Sequence, residues 1–182
     1  MTNISWGRVA VGGALRFGLA SLLVFATVAF AERWMYQNLG LYGAYLAWTV
    51  LFILLGGAAL RSLAPGTGTR KFFLVFAAGF FAYAVGWTAA YFILRNAAGE
   101  WVGALAAALL MAVVLCAAYA AWRHLGTLTF LLFAAHSAGY FVGSALNEAV
   151  TGPTGMLLWG VAYGLGLGAG LAVAFKMLDR GR

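Results

Sequence analysis

The chain has 182 residues, 65 % of them apolar, with only 11 basic and 4 acidic side chains and a mean hydropathy of +0.95. A soluble chain carries about a quarter charged residues, and a globule of this mass keeps much of its surface in contact with solvent, so this composition needs lipid as that solvent. Single-pass anchors, secreted disulfide scaffolds, disordered tails and nucleic-acid-binding domains are excluded. The net charge of +7 does not signal nucleic acid, because the basic residues stand singly or in pairs at the ends of apolar runs.

Six apolar runs are long enough to cross a hydrocarbon core of about 30 Å, which takes about 20 helical residues. They lie near 10–31, 41–60, 72–94, 101–122, 127–147 and 155–175. The expectation is an all-α polytopic membrane protein, one transmembrane domain over 1–182, with six helices arranged as three helical hairpins and the lipid bilayer as its partner. The first run, preceded by Arg8 and ending in Ala29-Phe30-Ala31, has the look of a secretory leader, but Arg16 interrupts it and it is read as a retained helix. Loops are expected from Glu32 to Gly40, from Arg61 to Lys71 around Pro65, at Arg95 to Glu100, at Arg123 to Gly126, and at Asn147 to Pro153. Links this short join antiparallel neighbours.

Counting cations orients the chain. With the N-terminus inside, the inner segments hold Arg8, Arg61, Arg70, Lys71, Arg123, Lys176, Arg180 and Arg182, and the outer loops only Arg33 and Arg95. Both termini are therefore expected on the cytoplasmic side. The outer acids Glu32, Glu100 and Glu148 fall one to a loop, either as solvated residues or as a ring that draws cations.

The third and fifth runs resemble one another. Leu74–Gly86 aligns without gaps on Leu131–Gly143, a shift of 57 residues that matches seven of thirteen positions. Glycine sets the packing surfaces: Gly160, Gly164 and Gly168 share one helix face at spacing four, and Gly166 and Gly170 form a second pair, which lets helix backbones approach closely. The partner of those faces is either this chain or a second copy, so a homo-oligomer or partner membrane subunits enter as expectations.

Ionisable groups at membrane depth cost free energy and mark candidate sites. His136 lies ten residues into the fifth run, near the midplane, and His136, Tyr140, Gly143 and Asn147 fall at i, i+4, i+7 and i+11 on one face. Ser144 lies alongside and Glu148 at the outer mouth. The third run presents Tyr83, Trp87 and Tyr91 at spacing four. Facing each other, the two runs would enclose a chamber suited to a small cationic or aromatic solute, since aromatic faces attract cations and an imidazole donates or accepts near neutral pH. The bland alternative is that His136 is hydrogen-bonding glue between helices. Arg16 either snorkels to the inner headgroups or pairs with a buried acceptor or ligand anion. Trp34, Trp101 and Trp159 are read as interfacial anchors.

No metal-binding, P-loop or nucleophile-elbow pattern is present, and catalysis is not expected. Cys116 is the single cysteine. The competing expectation is a non-catalytic subunit of a larger membrane complex, or one that carries a haem or chlorophyll with His136 as its one axial ligand. In size and topology alone the chain is similar to the substrate-binding subunits of energy-coupling-factor vitamin transporters, which implies a helical solute-binding unit; it carries no binding motif of that family.

Overall fold

The computed structural model describes residues 5–64 and 66–180, with Pro65, Arg182 and the side chain of Arg180 outside the described residues. Five long helices account for nearly all of it: α1 Trp6–Leu60, α2 Thr69–Leu94, α3 Ala97–Tyr119, α4 Leu125–Val150 and α5 Gly152–Arg180. Single 3-10 turns follow α1 (Arg61–Leu63) and precede α4 (Trp122–His124), and no strand occurs among the described residues. All five helices are long and apolar enough to cross a membrane.

The expected loop from Glu32 to Gly40 is corrected. Residues 32–39 contain no glycine or proline and stay helical, so the first two predicted helices form one 55-residue element. Only Gly40 leaves the helical region, at φ 67° and ψ 177°, a conformation open to glycine and strained for other residues. The chain reverses there. Phe17 stacks on Phe52 with ring centroids 6.1 Å apart, Phe25 meets Phe52 at 6.4 Å, Tyr36 meets Trp48 at 5.7 Å, and the Arg16 guanidinium donates to the Ser62 hydroxyl. At 1.5 Å per residue the arm before Gly40 is about 51 Å long and the arm after it about 30 Å.

The glycine faces of α5 both find partners within the chain. Side chains added at Gly164 and Gly168 would stand 2.8 Å from the Gly18 Cα and 2.6 Å from the Gly13 carbonyl oxygen, so this face lies against the first arm of α1. Gly166 would meet the Gly139 Cα at 2.8 Å, so the second face lies against α4. Lipid offers no hydrophobic drive between helices, and close backbone contact with hydrogen bonding takes its place. The Ser21 hydroxyl donates to the Gly160 carbonyl at 2.7 Å across the same seam.

The end of the bundle at which α1 begins also carries Arg8, Arg61, Arg70, Lys71, Arg123 and Lys176. Arg61 donates to the Ala64 carbonyl at 2.8 Å and to the Thr69 hydroxyl at 3.1 Å, bracing the turn into α2, and Lys176 sits 4.5 Å above the Trp6 ring centroid. Helix α3 closes on Ala120 in the left-handed conformation, φ 52° and ψ 40°, which costs a side-chain-bearing residue roughly 1–2 kcal/mol. Ala120→Gly is expected to raise the melting temperature by a few degrees, read by thermal unfolding in detergent; an unchanged midpoint would show that the strain is taken up elsewhere.

Candidate binding site

His136 stands about 17 Å from the start of α4, in a helix of about 39 Å, at 1.5 Å per residue. It is 1 % exposed. Its Nδ1 shares a hydrogen bond with the Tyr83 hydroxyl of α2, and that hydroxyl lies 3.0 Å from the Tyr163 hydroxyl of α5. Three helices are thus joined through one polar chain. Protons can run along it in either order, Tyr163 to Tyr83 to His136 or the reverse, and both orders leave Nε2 of His136 without a partner.

Aromatic rings surround this chain. Tyr140, one turn beyond His136, stacks on the imidazole at 5.4 Å and 15°, and Tyr163 meets it edge-on at 5.7 Å. Tyr140 in turn contacts Trp87 at 5.7 Å and Trp159 at 5.4 Å. Beside them is a cavity of about 290 Å³. Its walls come from four helices: Val24, Phe25 and Val28 of the first arm of α1, Tyr45, Trp48 and Phe52 of the second, Phe80, Tyr83 and Trp87 of α2, His136 and Tyr140 of α4, and Met156, Trp159 and Tyr163 of α5. The exposed carboxylate of Glu32 and the half-buried Tyr36 also line it, near the Gly40 bend. The volume is close to the lower bound of small-molecule sites, roughly 300 Å³.

Of the residues singled out from sequence, Tyr83, Trp87, His136 and Tyr140 come together at this cavity. The repeat places Tyr83 and Tyr140 at equivalent positions, and both line it. Tyr91 stands behind the wall, stacked on Trp87 at 4.9 Å. Asn147 lies in the seam between α4 and α5, where a side chain added at Gly155 would meet its carbonyl oxygen at 3.0 Å. Ser144 and the exposed Glu148 lie further along α4 and do not line the cavity, and Arg16 is with Ser62 near the N-terminal end.

Sequence reasoning missed the second arm of α1. Tyr45, Trp48 and Phe52 fall at i, i+3 and i+7, a single helix face, which was the available signal. It missed Tyr163 as well, and read Trp159 as an anchor; α5 turns that indole inward, against Tyr140 and against Phe25 at 6.0 Å. Trp34 and Trp101 are exposed, as anchors would be.

A second cavity, about 570 Å³, lies between the second arm of α1 and α2. Tyr45, Thr49, Ala84 and Thr88 line both, so they form the partition between the two spaces. Its other walls include the exposed apolar or aromatic side chains of Tyr42, Leu46, Phe81, Val85 and Ile93, and the exposed Arg95. Among the described residues, no group of three or more His, Cys, Asp or Glu is placed to hold a metal ion.

Five spanning-length apolar helices around a buried polar chain are the build of a multi-pass membrane protein with an internal chamber. No protein-family model matches the chain, and comparison finds no curated protein and no solved structure similar to it.

Proposed function

We propose that the chain crosses the bilayer six times, α1 accounting for two crossings, with both termini on the cytoplasmic side, and that it binds or translocates a small cationic or aromatic solute at the site centred on His136. The reversal at Gly40 and the contacts between the two arms of α1 support two crossings by that element. The gathering of cations at the N-terminal end supports the orientation. Three helical hairpins then follow from the chain order, α1, α2 with α3, and α4 with α5. Single cysteines at Gln37 and Glu148, in a Cys116→Ser background, are expected to react with a membrane-impermeant maleimide from one face and a cysteine at Gly68 from the other. Labelling of all three from one face would refute the topology.

The observation that carries the binding role is the cavity itself: a space walled by aromatic rings, beside a buried imidazole whose Nε2 has no partner. Packing for its own sake fills such spaces, since interiors reach the density of organic crystals. Native mass spectrometry of protein released in mild detergent is expected to show a small-molecule adduct that Tyr140→Phe weakens without changing helical content. Adduct-free protein that is indifferent to Tyr140→Phe would remove the reading. The alternative, a haem- or chlorophyll-carrying subunit of a larger complex, rests on the same free Nε2, since axial histidines are commonly held through Nδ1 as His136 is. A visible absorption band lost in His136→Ala would establish it. The glycine faces no longer speak for a second copy or a partner subunit, because α1 and α4 occupy them.

A further inference from the structure

The charge of the solute can be read from the cavity walls, and this step rests on the binding role just proposed. Among the described residues no lysine or arginine lines the cavity, and Glu32 is the one carboxylate that does. Register places it there: Val24, Val28 and Glu32 fall at spacing four on the first arm of α1, and all three line the cavity. The exposed Glu32 side chain interacts with Tyr36 and Tyr45, whose phenols bear no charge at neutral pH. Its negative charge therefore has no counter-ion among the described residues. An anion would meet that carboxylate with nothing to offset the repulsion.

The rings set the second requirement. At the Glu32 end, Trp48 meets Tyr36 edge-on at 5.7 Å and Tyr45 at 5.6 Å, and all three line the cavity. At the other end Phe52 lies 5.3 Å from Phe80 and 5.8 Å from Tyr163. From Val24 to Glu32 the lining runs about 12 Å along α1, at 1.5 Å per residue. Aromatic rings attract a cation, more strongly where water is excluded, and they also receive another ring by stacking or edge-on contact. A solute with a positive head and an aromatic tail uses both ends of this space. An uncharged aromatic molecule leaves Glu32 unpaired, and a metal ion finds no cluster of ligating side chains among the described residues.

We infer that the chamber takes an amphipathic organic monocation, an ammonium group joined to an aromatic ring, with Glu32 as its counter-ion and the ring seated toward Phe52, Phe80 and Tyr163. One carboxylate balances one charge, so a dication would carry an unpaired charge into an otherwise apolar space.

Three phenethyl compounds test the inference on the full chain in phosphatidylcholine nanodiscs: phenethyltrimethylammonium, a fixed cation; its uncharged isostere, in which tert-butyl replaces the trimethylammonium; and hydrocinnamate, an anion. Affinity is read by equilibrium dialysis against empty nanodiscs, which cancels uptake of the probe by lipid. The variants are Glu32→Gln, Glu148→Gln and His136→Asn, the last keeping a partner for the Tyr83 hydroxyl. Glu148→Gln removes an exposed charge that does not line the cavity, and so reports on surface attraction alone. The ammonium is expected to bind tightest and to weaken roughly five- to tenfold in Glu32→Gln, while Glu148→Gln stays within about twofold of the parent and the isostere responds to neither. Isostere or hydrocinnamate binding as tightly as the ammonium would overturn the cationic class. Equal losses in Glu32→Gln and Glu148→Gln, or no loss in either, would overturn Glu32 as the counter-ion. In these cases weakening by His136→Asn keeps the binding role intact. If no probe binds in a His136-dependent way, the binding role fails together with this narrowing of it.

Discussion

Gly168→Ala is expected to destabilise the protein strongly. The added carbon would stand 2.6 Å from the Gly13 carbonyl oxygen and 2.5 Å from the Phe17 Cβ, separations that real Cβ atoms do not show. Neither neighbour is the far end of a flexible side chain, so relief requires α5 to move away from the first arm of α1. Gly13 reports on the same contact from the other side, its own added carbon falling 2.5 Å from the Gly168 carbonyl oxygen. Overpacking a well-filled interior costs typically about 1–3 kcal/mol and more where backbone must shift. The seam also holds the Ser21–Gly160 hydrogen bond, which the displacement would stretch. The control is Gly126→Ala, in the first turn of α4, where nothing lies within 4 Å. That change should be neutral or mildly stabilising, since alanine is the better helix former by up to about 1 kcal/mol. Thermal unfolding in detergent, followed by the monodisperse fraction remaining, separates the two. Because both glycines report on one contact, the Gly13→Ala, Gly168→Ala double variant should lose less than the sum of the single losses. Equal melting of Gly168→Ala and Gly126→Ala would show that the α1–α5 seam is looser than described.

The second large effect is at His136, where two substitutions separate holding the fold from holding a ligand. An asparagine amide reaches about as far from the backbone as the imidazole Nδ1, and a glutamine amide about as far as Nε2. His136→Asn therefore retains a partner for the Tyr83 hydroxyl and removes the unpartnered nitrogen, while His136→Ala removes both. His136→Ala leaves the Tyr83–Tyr163 pair short of one bond and opens a void, a loss on the order of 2–4 kcal/mol from the unmet hydroxyl and the missing packing together. At about 2–4 °C per kcal/mol for a chain of this size, the melting temperature should fall by roughly 5–15 °C. His136→Asn should recover most of that loss and still bind ligand at least about tenfold more weakly than the parent, the factor that corresponds to about 1.4 kcal/mol. An asparagine variant that binds like the parent would reduce His136 to a pin between α2, α4 and α5.

Much of this arrangement could be read from the chain alone. Lipid as solvent, the all-helical class and the four links after Leu60 follow from composition and from runs whose length matches a hydrocarbon core. The placement of His136, Tyr140, Tyr83 and Trp87 on two facing helices follows from spacing four within the repeat, and the structure joins those four at one cavity. Asn147 shares its face with His136, yet at that level of α4 the face lies against Gly155 of α5, away from the cavity. Glu32, not Glu148, is the carboxylate at the cavity, because the helix running unbroken to Leu39 carries Glu32 over it.

The remaining differences share one physical origin. In water, burial separates apolar from polar residues, so an inward face shows itself as a periodic pattern. In lipid both sides of a helix are apolar, and Tyr45, Trp48, Phe52, Trp159 and Tyr163 look from sequence no different from side chains that face acyl tails. Length, polarity and the midplane histidine were determined by the amino acids in order. Which way each helix turns, and therefore which rings close around the chamber, was decided only when the glycine faces of α5 met α1 on one side and α4 on the other, because backbone contact at Gly13, Gly139, Gly164 and Gly168 allows a single rotation of each helix.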